Sequence, residues 1–360
     1  MKYVDEFRNQ KLSRLLSEQI HAIVKKEIRL MEVCGGHTLS IHRFGIPELL
    51  PPSVHLLSGP GCPVCVSDIR FIDHAIALAR LDNVIITTFG DLIRVPGSTS
   101  SLEKEKSSGA DVRVIYSSLD AIEIANQNPG KKVVFLGIGF ETTAPSTAVA
   151  VMTAAQEHLT NYFVLSAHKV MPPVMEALID EGILIDGYIA PGHVSTITGS
   201  AMYRFIPEKY KLAVVISGFE PLDLMQSIYM LVRQIEEGRP AVEIQYRRAV
   251  RPEGNPKAKT LMNEIFELRD DWWRGFGIIP ASGLALRKKY RQYDASVMLP
   301  VSVEPPIEPK GCLCGLVLKG LKKPVECKLY KTACTPDHPV GACMVSGEGA
   351  CATYYRYGKE

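Results

Sequence analysis

Apolar runs alternate with helical patterns from residue 28 to about residue 217, and this alternation constrains the fold more than any other feature. The eight runs are Ile28–Val33, Val54–Leu57, Val84–Thr88, Val112–Tyr116, Lys132–Ile138, Tyr162–Leu165, Gly187–Ala190 and Leu212–Ile216. Strands that alternate with helices are typical of parallel sheets covered by helices. Eight such strands could close one barrel or form two doubly wound halves. Because the connecting segments are uneven, we predict two Rossmann-like α/β domains facing a cleft, at residues 28–118 and 119–238.

Seven of the eight predicted strands end in a turn with a chemically capable side chain, and six of these turns also contain glycine. The seven turns are Cys34–Thr38, Gly59–Cys65, Phe89–Asp91, Gly139–Thr143, Ser166–Lys169, Pro191–Ser195 and Ser217–Glu220. Open parallel sheets bind ligands at the carboxyl ends of their strands. Glycine allows close approach of the backbone, and the helix that follows offers N–H donors to anions. We therefore expect these turns to line one cleft.

The turn Gly59–Cys65 places two thiols three residues apart at the start of a helix. The helix dipole and the free N–H groups there favour a thiolate, so one or both of Cys62 and Cys65 are predicted to be unusually acidic and reactive. A pair at this spacing can close a disulfide or bind a metal, and the two prolines of the turn stiffen it. The alternative is that both cysteines are small, buried and inert.

The other turns supply further candidates for acid–base chemistry or ligand positioning. They are His37, Glu141, Thr142, Thr143, His168 and His193. Each has a structural alternative, since histidine often serves inside a fold and a carboxylate is favoured in the first turn of a helix. Gly137 and Gly139 suggest a dinucleotide fingerprint, but the third glycine of that motif is missing, so the signal is weak.

The charge balance and the cysteine count limit the classes of function. The chain has 41 basic and 39 acidic residues, which favours neither nucleic acid nor an anionic membrane as partner. It lacks both a signal-peptide core and an apolar run near the ~20 residues of a membrane span, so we predict a cytoplasmic protein. Nine cysteines in a reducing compartment indicate metal or redox chemistry rather than structural disulfides.

Six of the nine cysteines crowd the last fifty residues, at positions 312, 314, 327, 334, 343 and 351. The alternation stops before this tail, so we assign residues 239–360 to a third, mixed region, and residues 1–27 contain an amphipathic helix. Six thiols exceed the four that zinc or a cubane iron–sulfur cluster requires. Close pairs typical of zinc sites are scarce here. The spacing C-x14-C-x6-C-x16-C suits a cluster at least as well as zinc, and spacing alone does not select the four ligands.

Several of these motifs together resemble the HypD family of hydrogenase maturation factors over essentially the whole chain. The matching segments are Cys34–Thr38, Gly59–Cys65, Gly139–Thr143, Pro191–Ser195 and the tail from Glu326 through Pro336 to Cys343–Ser346. The resemblance implies a scaffold for assembling the Fe(CN)2CO group of [NiFe]-hydrogenases. It also implies two Rossmann-like domains and a third domain, built from residues 1–27 and 239–360, that carries a [4Fe–4S] cluster. The implied cluster ligands are Cys312, Cys327, Cys334 and Cys351, which leaves Cys314 and Cys343 spare.

The same resemblance implies partners and roles. The partners are a small HypC-type chaperone and a HypE-type cyanide donor. Cys34 is expected to ligate the transient iron, and Cys62 and Cys65 to act as a redox dithiol fed by the cluster, with His37, Glu141, Thr142, Thr143 and His193 around the iron. Two alternatives are a cluster-dependent thiol–disulfide oxidoreductase acting on a protein disulfide, and a metabolite-binding protein with a zinc tail. Whether the chain is an enzyme in the strict sense is left open.

Overall fold

The computed structural model describes residues 5–358, so the ends of the predicted third domain, residues 1–4 and 359–360, lie outside it. The strands are β1 (Ile28–Glu32), β2 (Val54–Ser58), β3 (Val84–Thr88), β4 (Asp111–Val114), β5 (Lys132–Gly139), β6 (Tyr162–His168), β7 (Gly187–Pro191), β8 (Ala213–Ser217), β9 (Val242–Ile244), β10 (Phe266–Trp273) and β11 (Gly277–Leu286). All eight predicted strands are confirmed, with ends that shift by a few residues.

Helices cover the faces of the sheets and build most of the tail. The α-helices are α1 (Gln10–Ile23), α2 (Gly35–Arg43), α3 (Pro63–Val66), α4 (Ile69–Ala79), α5 (Leu102–Ser107), α6 (Asp120–Gln127), α7 (Ala144–Gln156), α8 (Met171–Asp180), α9 (Gly192–Thr198), α10 (Pro221–Glu236), α11 (Pro256–Ile265), α12 (Ala295–Met298), α13 (Cys314–Leu318), α14 (Ala342–Val345) and α15 (Ala350–Tyr357). Shorter 3-10 or π turns span Asp5–Phe7, Ile46–Leu49, Gly90–Arg94, Ala201–Tyr203, Ile206–Tyr210, Lys288–Tyr293 and Pro324–Glu326. Among these helices, none is both long and apolar enough to span a membrane.

Two parallel sheets form the body of the protein. The larger has five strands in the order β2-β1-β7-β8-β9, and the smaller has four in the order β4-β3-β5-β6. β3, β7 and β8 are buried at every position, as expected for parallel strands covered on both faces. The strand order reverses between β1 and β7 in the larger sheet and between β3 and β5 in the smaller. The predicted α/β class is confirmed, and the barrel alternative is wrong because the strands form two separate sheets.

The strands group into sheets differently from the consecutive grouping that the sequence suggested. After β2 the chain leaves the larger sheet, builds the whole smaller sheet, and returns to pair β7 with β1. The predicted division near residues 117–120 therefore cuts through the smaller sheet. Local apolar patterns mark a strand but do not identify its neighbour, which explains the difference. How the chain divides into independently folding domains stays a prediction.

One buried core continues from one sheet to the other. Met31 and Tyr188 of the larger sheet and Leu136 of the smaller sheet belong to the same cluster of buried side chains, which also includes Cys65 and Cys343. The predicted N-terminal helix is confirmed as α1, which packs against α10. The family resemblance grouped this helix with the tail, whereas its buried residue Ile20 joins the core of the larger sheet.

The antiparallel hairpin β10–β11 was not predicted. It clamps two distant turns, because Trp273 bridges to Ser67 and Gly283 bridges to Lys169. Trp273 is fully buried, and its indole N–H donates to the Ser282 hydroxyl at 2.8 Å. The hairpin thus fixes the segment after the double-cysteine turn relative to the end of β6.

Candidate functional site at the strand ends

Four of the seven strand-end turns lie along the carboxyl edge of the larger sheet, after β2, β1, β7 and β8. Cys34 follows β1, and Gly192 begins the helix after β7. β1 and β7 are the neighbours between which the strand order reverses. Open α/β sheets bind ligands in the crevice at such a switch point. The sequence predicted one cleft for all seven turns, and the structure divides them between two sheet edges.

Cys34 is half-buried beside two carboxyl groups that the sequence analysis missed. Its backbone N–H donates to Glu32 Oε2 at 3.0 Å, and the Thr38 hydroxyl donates to Glu32 Oε1 at 2.5 Å. Burial raises the pKa of Glu32 to about 8. Glu348 comes from the tail and packs on Gly35, where a methyl group would lie 2.7 Å from Glu348 Cβ. Burial, followed by the nearby Glu348 charge, raises the pKa of Cys34 to about 12.

A stack of three rings forms one wall of this site. Phe219 lies between His37 and His193, at centroid distances of 4.6 Å and 3.9 Å with the ring planes within 27° of parallel. His37 Nε2 donates to the Gly218 carbonyl oxygen at 3.0 Å, which leaves Nδ1 as the acceptor nitrogen. Nδ1 is buried and has no hydrogen-bond partner among the residues described. Burial lowers the pKa of His37 to about 4, so the ring is neutral at neutral pH.

The double-cysteine turn lies directly against Cys34. The Gly35 N–H donates to the Gly61 carbonyl oxygen at 3.1 Å, and Gly61 packs on the backbone of Cys34. The Cys65 N–H donates to Cys62 Sγ at 3.3 Å, so the start of α3 does direct an N–H group at sulfur, as the sequence predicted.

Burial opposes acidity at the second cysteine of the pair, Cys65. Cys65 is completely buried, and desolvation raises the pKa of its thiol well above the ordinary value. A short helix of four residues offers little compensation for the loss of water around a charged sulfur. The thiol of Cys65 is therefore neutral in this state.

A continuous chain of thiols connects the double-cysteine turn to the tail. The free thiol of Cys65 lies within interaction range of the thiols of Cys62 and Cys343. Cys343 also lies within range of Cys314, and Cys314 lies within range of Cys312. Cys65 and Cys343 are 0% exposed and Cys314 is 6% exposed. The family resemblance left Cys314 and Cys343 without a role. They lie between Cys65 of the double-cysteine turn and two of the expected cluster ligands, Cys312 and Cys351.

The four cysteines expected to hold a cluster lie in one region of the tail. Cys327 Sγ donates to the carbonyl oxygen of Gly311, next to Cys312, at 3.8 Å. Cys334 interacts electrostatically with both Cys312 and Cys351, and it shares a small buried cluster with Met344. Within residues 5–358, no three His, Cys, Asp or Glu side chains are arranged to hold a metal ion.

Glu141, Thr142 and Thr143 lie at the switch point of the smaller sheet, after β5. Glu141 Oε1 accepts from the Met171 N–H at 3.0 Å, while Oε2 is buried and has no partner in the described chain. Burial raises the pKa of Glu141 to about 7. The Thr143 hydroxyl donates to the Ile138 carbonyl oxygen at 3.2 Å.

Tyr203 and Glu348 each lie within electrostatic range of a residue in a strand-end turn of the smaller sheet, and both are close to Cys34 at the edge of the larger sheet. Tyr203 is buried and lies within electrostatic range of both Glu141 and Cys34. Glu348 lies within electrostatic range of Asp91, in the turn after β3.

His168 has a structural role, because it is fully buried and both of its ring nitrogens have hydroxyl partners. Sequence reasoning could have found Glu348 as a lone carboxylate between two glycines in the tail.

Proteins similar to this chain match it over nearly its whole length. The family model described as "HypD: Hydrogenase formation hypA family" matches residues 11–358. The hydrogenase maturation factor HypD2 of Bradyrhizobium diazoefficiens is 49% identical over 370 residues, covering 100% of this chain and 97% of that protein. HypD of Azotobacter vinelandii is 48% identical, with 100% and 98% covered. A putative hydrogenase expression/formation protein of Methanocaldococcus jannaschii is 45% identical over 342 residues, with 94% and 95% covered.

Proposed function

The chain belongs to the HypD family of hydrogenase maturation factors, and we propose on that premise that it is a scaffold for assembling the Fe(CN)2CO group of [NiFe]-hydrogenases. One observation carries the proposal. Cys34 lies at the switch point of the larger sheet, in backbone contact with the double-cysteine turn. A metal-ligating thiol and a redox pair are thereby neighbours in one site.

In this proposal Cys34 binds the iron atom that is the cargo of the scaffold. Thiolates are soft ligands, which suits iron carrying cyanide and carbon monoxide. Glu32 holds the Cys34 backbone through its N–H group, and Thr38 holds Glu32 in turn. The backbone N–H groups of Gly36 and His37, at the start of α2, interact with the Cys34 thiol and lower its pKa against the larger effect of burial, which favours the thiolate that binds the cargo.

Partner proteins complete the site in our proposal. A HypC-type chaperone supplies a second thiolate for the iron, and a HypE-type protein delivers cyanide. His193 is exposed at the outer side of the ring stack, where an incoming protein meets it first. We assign His37, Glu141, Thr142 and Thr143 to the surroundings of the iron, the last three from the edge of the smaller sheet.

We propose that Cys62 and Cys65 form the redox pair. Their disulfide takes up two electrons and two protons and becomes two thiols. When the S–S bond forms again, the dithiol releases two electrons and two protons, which reduce the ligand precursor bound at the iron. The electrons come one at a time from a one-electron carrier protein. Cys343 and Cys314 support this route, because they fill the space between Cys65 and the tail.

The chemistry of the donors in the tail supports a [4Fe–4S] cluster. Four thiols, Cys312, Cys327, Cys334 and Cys351, lie in one region of short loops with a small core, and thiolates are the usual ligands of such clusters. A cluster bound there would supply one-electron chemistry. The same four thiols would also cross-link loops that bury little apolar surface.

The burial of the pair argues against a general oxidoreductase. Cys62 is 4% exposed and Cys65 is 0% exposed, so a disulfide on another protein does not reach them without rearrangement. We therefore favour the scaffold over an enzyme that reduces protein disulfides.

Replacing Cys34 by alanine tests the proposal. We expect hydrogenase maturation to be abolished in a host that depends on this chain, with an unchanged unfolding midpoint. Ser40→Ala, in the same helix, is the matched control and should mature hydrogenase normally. Anaerobic iron analysis of the chain with its HypC-type partner should show the loss of one iron in Cys34→Ala alone. Normal maturation by that variant would remove the ligand role.

A further inference from the structure

We propose that a lysine-rich surface of the tail is the docking site for an acidic one-electron carrier protein, such as a ferredoxin. The lysine-rich surface consists of the exposed residues Lys310, Lys322, Lys323, Lys328 and Lys331. The inference rests on the proposed redox role of the tail and deepens it, because it identifies the class of protein that supplies the electrons.

The charge of this surface sets it apart from the rest of the chain. Residues 310–331 contain six lysines and one carboxylate, whereas the whole chain has 41 basic and 39 acidic residues. Lys322 is paired with Glu326 at 2.7 Å. Lys310 and Lys328 have no carboxylate within 4.0 Å among residues 5–358. The surface therefore keeps an uncompensated positive charge.

Two of these lysines, Lys310 and Lys328, are close in sequence to two partly accessible thiols of the tail, Cys312 and Cys327. The contact of Cys327 Sγ with the Gly311 carbonyl oxygen brings together two turns, one next to Lys310 and one next to Lys328. Cys312 and Cys327 are both half-buried. A partner that covers the two lysines therefore covers these sulfur atoms as well.

Exposure falls steadily along the thiol chain from this surface inward. Cys312 and Cys327 are partly accessible, Cys314 is 6% exposed, and Cys343 and Cys65 are 0% exposed. An electron carrier of protein size cannot touch the buried thiols. Electrons that arrive from another protein therefore enter near one of the partly accessible tail thiols, Cys312, Cys327 or Cys351, and the first two lie beside the lysine-rich surface.

The surface also carries apolar side chains suited to a protein partner. Leu316, Leu321 and Val325 are 40%, 50% and 52% exposed between the lysines. Electron-transfer encounters use small interfaces, and opposite charges steer the partners together. Nucleic-acid binding depends mainly on phosphate contacts and gains little from exposed aliphatic groups. The mixture of lysine and aliphatic side chains favours an acidic protein.

The test measures binding, with a reduced acidic [2Fe–2S] ferredoxin as the probe and the anaerobically purified full chain as its target. We expect the Kd to rise with salt concentration, because screening weakens charge attraction. The double variant Lys310→Glu/Lys328→Glu should bind about tenfold more weakly at low salt, with a smaller salt dependence. Lys257→Glu/Lys259→Glu, on exposed positions of α11, makes the same charge change and should stay within about twofold of the parent.

Three results would overturn the docking site: no ferredoxin binding at low salt, equal losses in both double variants, or no loss in either. Tighter binding of a single-stranded oligonucleotide or of anionic vesicles, lost in Lys310→Glu/Lys328→Glu, would also overturn it by assigning the surface to another partner. The redox role is tested separately. If ferredoxin binds but Cys62 and Cys65 stay oxidised, the redox pair fails; if dithionite reduces them but ferredoxin does not bind, the docking site fails.

Discussion

Gly61 lies so close to Cys34 that a methyl group on Gly61 would overlap the backbone nitrogen and Cα atom of Cys34. The Gly61 carbonyl oxygen also accepts the N–H of Gly35, the first residue of α2. The two thiol-bearing turns are therefore locked together through their backbones, and only glycine allows this approach.

Gly61→Ala should separate the two turns and impair maturation. Overlap with backbone atoms cannot be relieved by a side-chain rotation, so we expect a loss of about 3 kcal/mol or more in the free energy of unfolding. Gly130→Ala is the control, because a methyl group there meets nothing within 4 Å. Its stability should be unchanged or raised by up to about 1 kcal/mol. Urea unfolding of both variants provides the comparison, and equal stability would refute the contact.

Serine substitutions in the tail should distinguish ligands from neighbouring thiols. We expect Cys312→Ser, Cys327→Ser, Cys334→Ser and Cys351→Ser each to lower the iron and sulfide content of anaerobically prepared protein, because each removes one thiolate from a set of four. Cys314→Ser is the matched control and should retain both. Loss of iron in Cys314→Ser, with retention in any of the four, would assign the ligands differently.

Cys343→Ser should interrupt the route from the tail to the redox pair. Cys343 is the thiol that contacts Cys65, Cys314 and Cys351 together. We expect normal iron content but slower reduction of the Cys62–Cys65 disulfide by a one-electron donor, followed by mass-spectrometric counting of alkylated thiols. A small dithiol reductant bypasses the tail and serves as the control, so it should reduce parent and variant equally fast. Unchanged rates with both reductants would exclude this route.

Glu141 should make the stability of the protein depend on pH. Burial raises its pKa from 4.5 to about 7, so the folded state binds a proton more tightly than the unfolded state. The stability that this group contributes is fully present below pH 4.5 and is lost as the pH rises through 7. The loss is roughly 3 kcal/mol.

Glu141→Gln removes that titration. We expect the stability of the parent relative to the glutamine variant to fall between pH 5 and 7.5, measured by denaturant unfolding at each pH. Glu123→Gln, at an exposed position of α6, should leave the pH profile as it is in the parent. A parent profile that runs parallel to that of Glu141→Gln would show that the carboxyl group titrates normally.

The positions of the strands and the turns were predictable because both depend on local sequence. Each of the eight strands is a short apolar run, and Val84–Thr88 is buried at all five positions. The turn that carries Cys34 and the turn that carries Cys62 follow such runs directly. Their place at the carboxyl end of a parallel strand follows from the order of residues alone.

The neighbours of those turns were not predictable from local sequence. β7 pairs with β1 only after the chain has built the whole smaller sheet, so the turn of Cys34 is next to the turn of His193, and Glu141 follows a strand of the other sheet. The contact between Cys65 and Cys343 joins segments from opposite ends of the chain. Such contacts depend on how entire sheets pack, and no short pattern encodes them.

The sequence by itself determined which residues carry the chemistry: three early cysteines at strand ends and six in the tail. Tertiary structure alone decided the state of these thiols and which of them are neighbours. The start of α3 favours an acidic Cys65, yet burial raises the pKa of its thiol. The free-energy cost of removing water from a charged sulfur is larger than the stabilisation that one short helix gives to that charge. Burial is a property of the assembled fold, so it becomes visible only when distant segments have packed together.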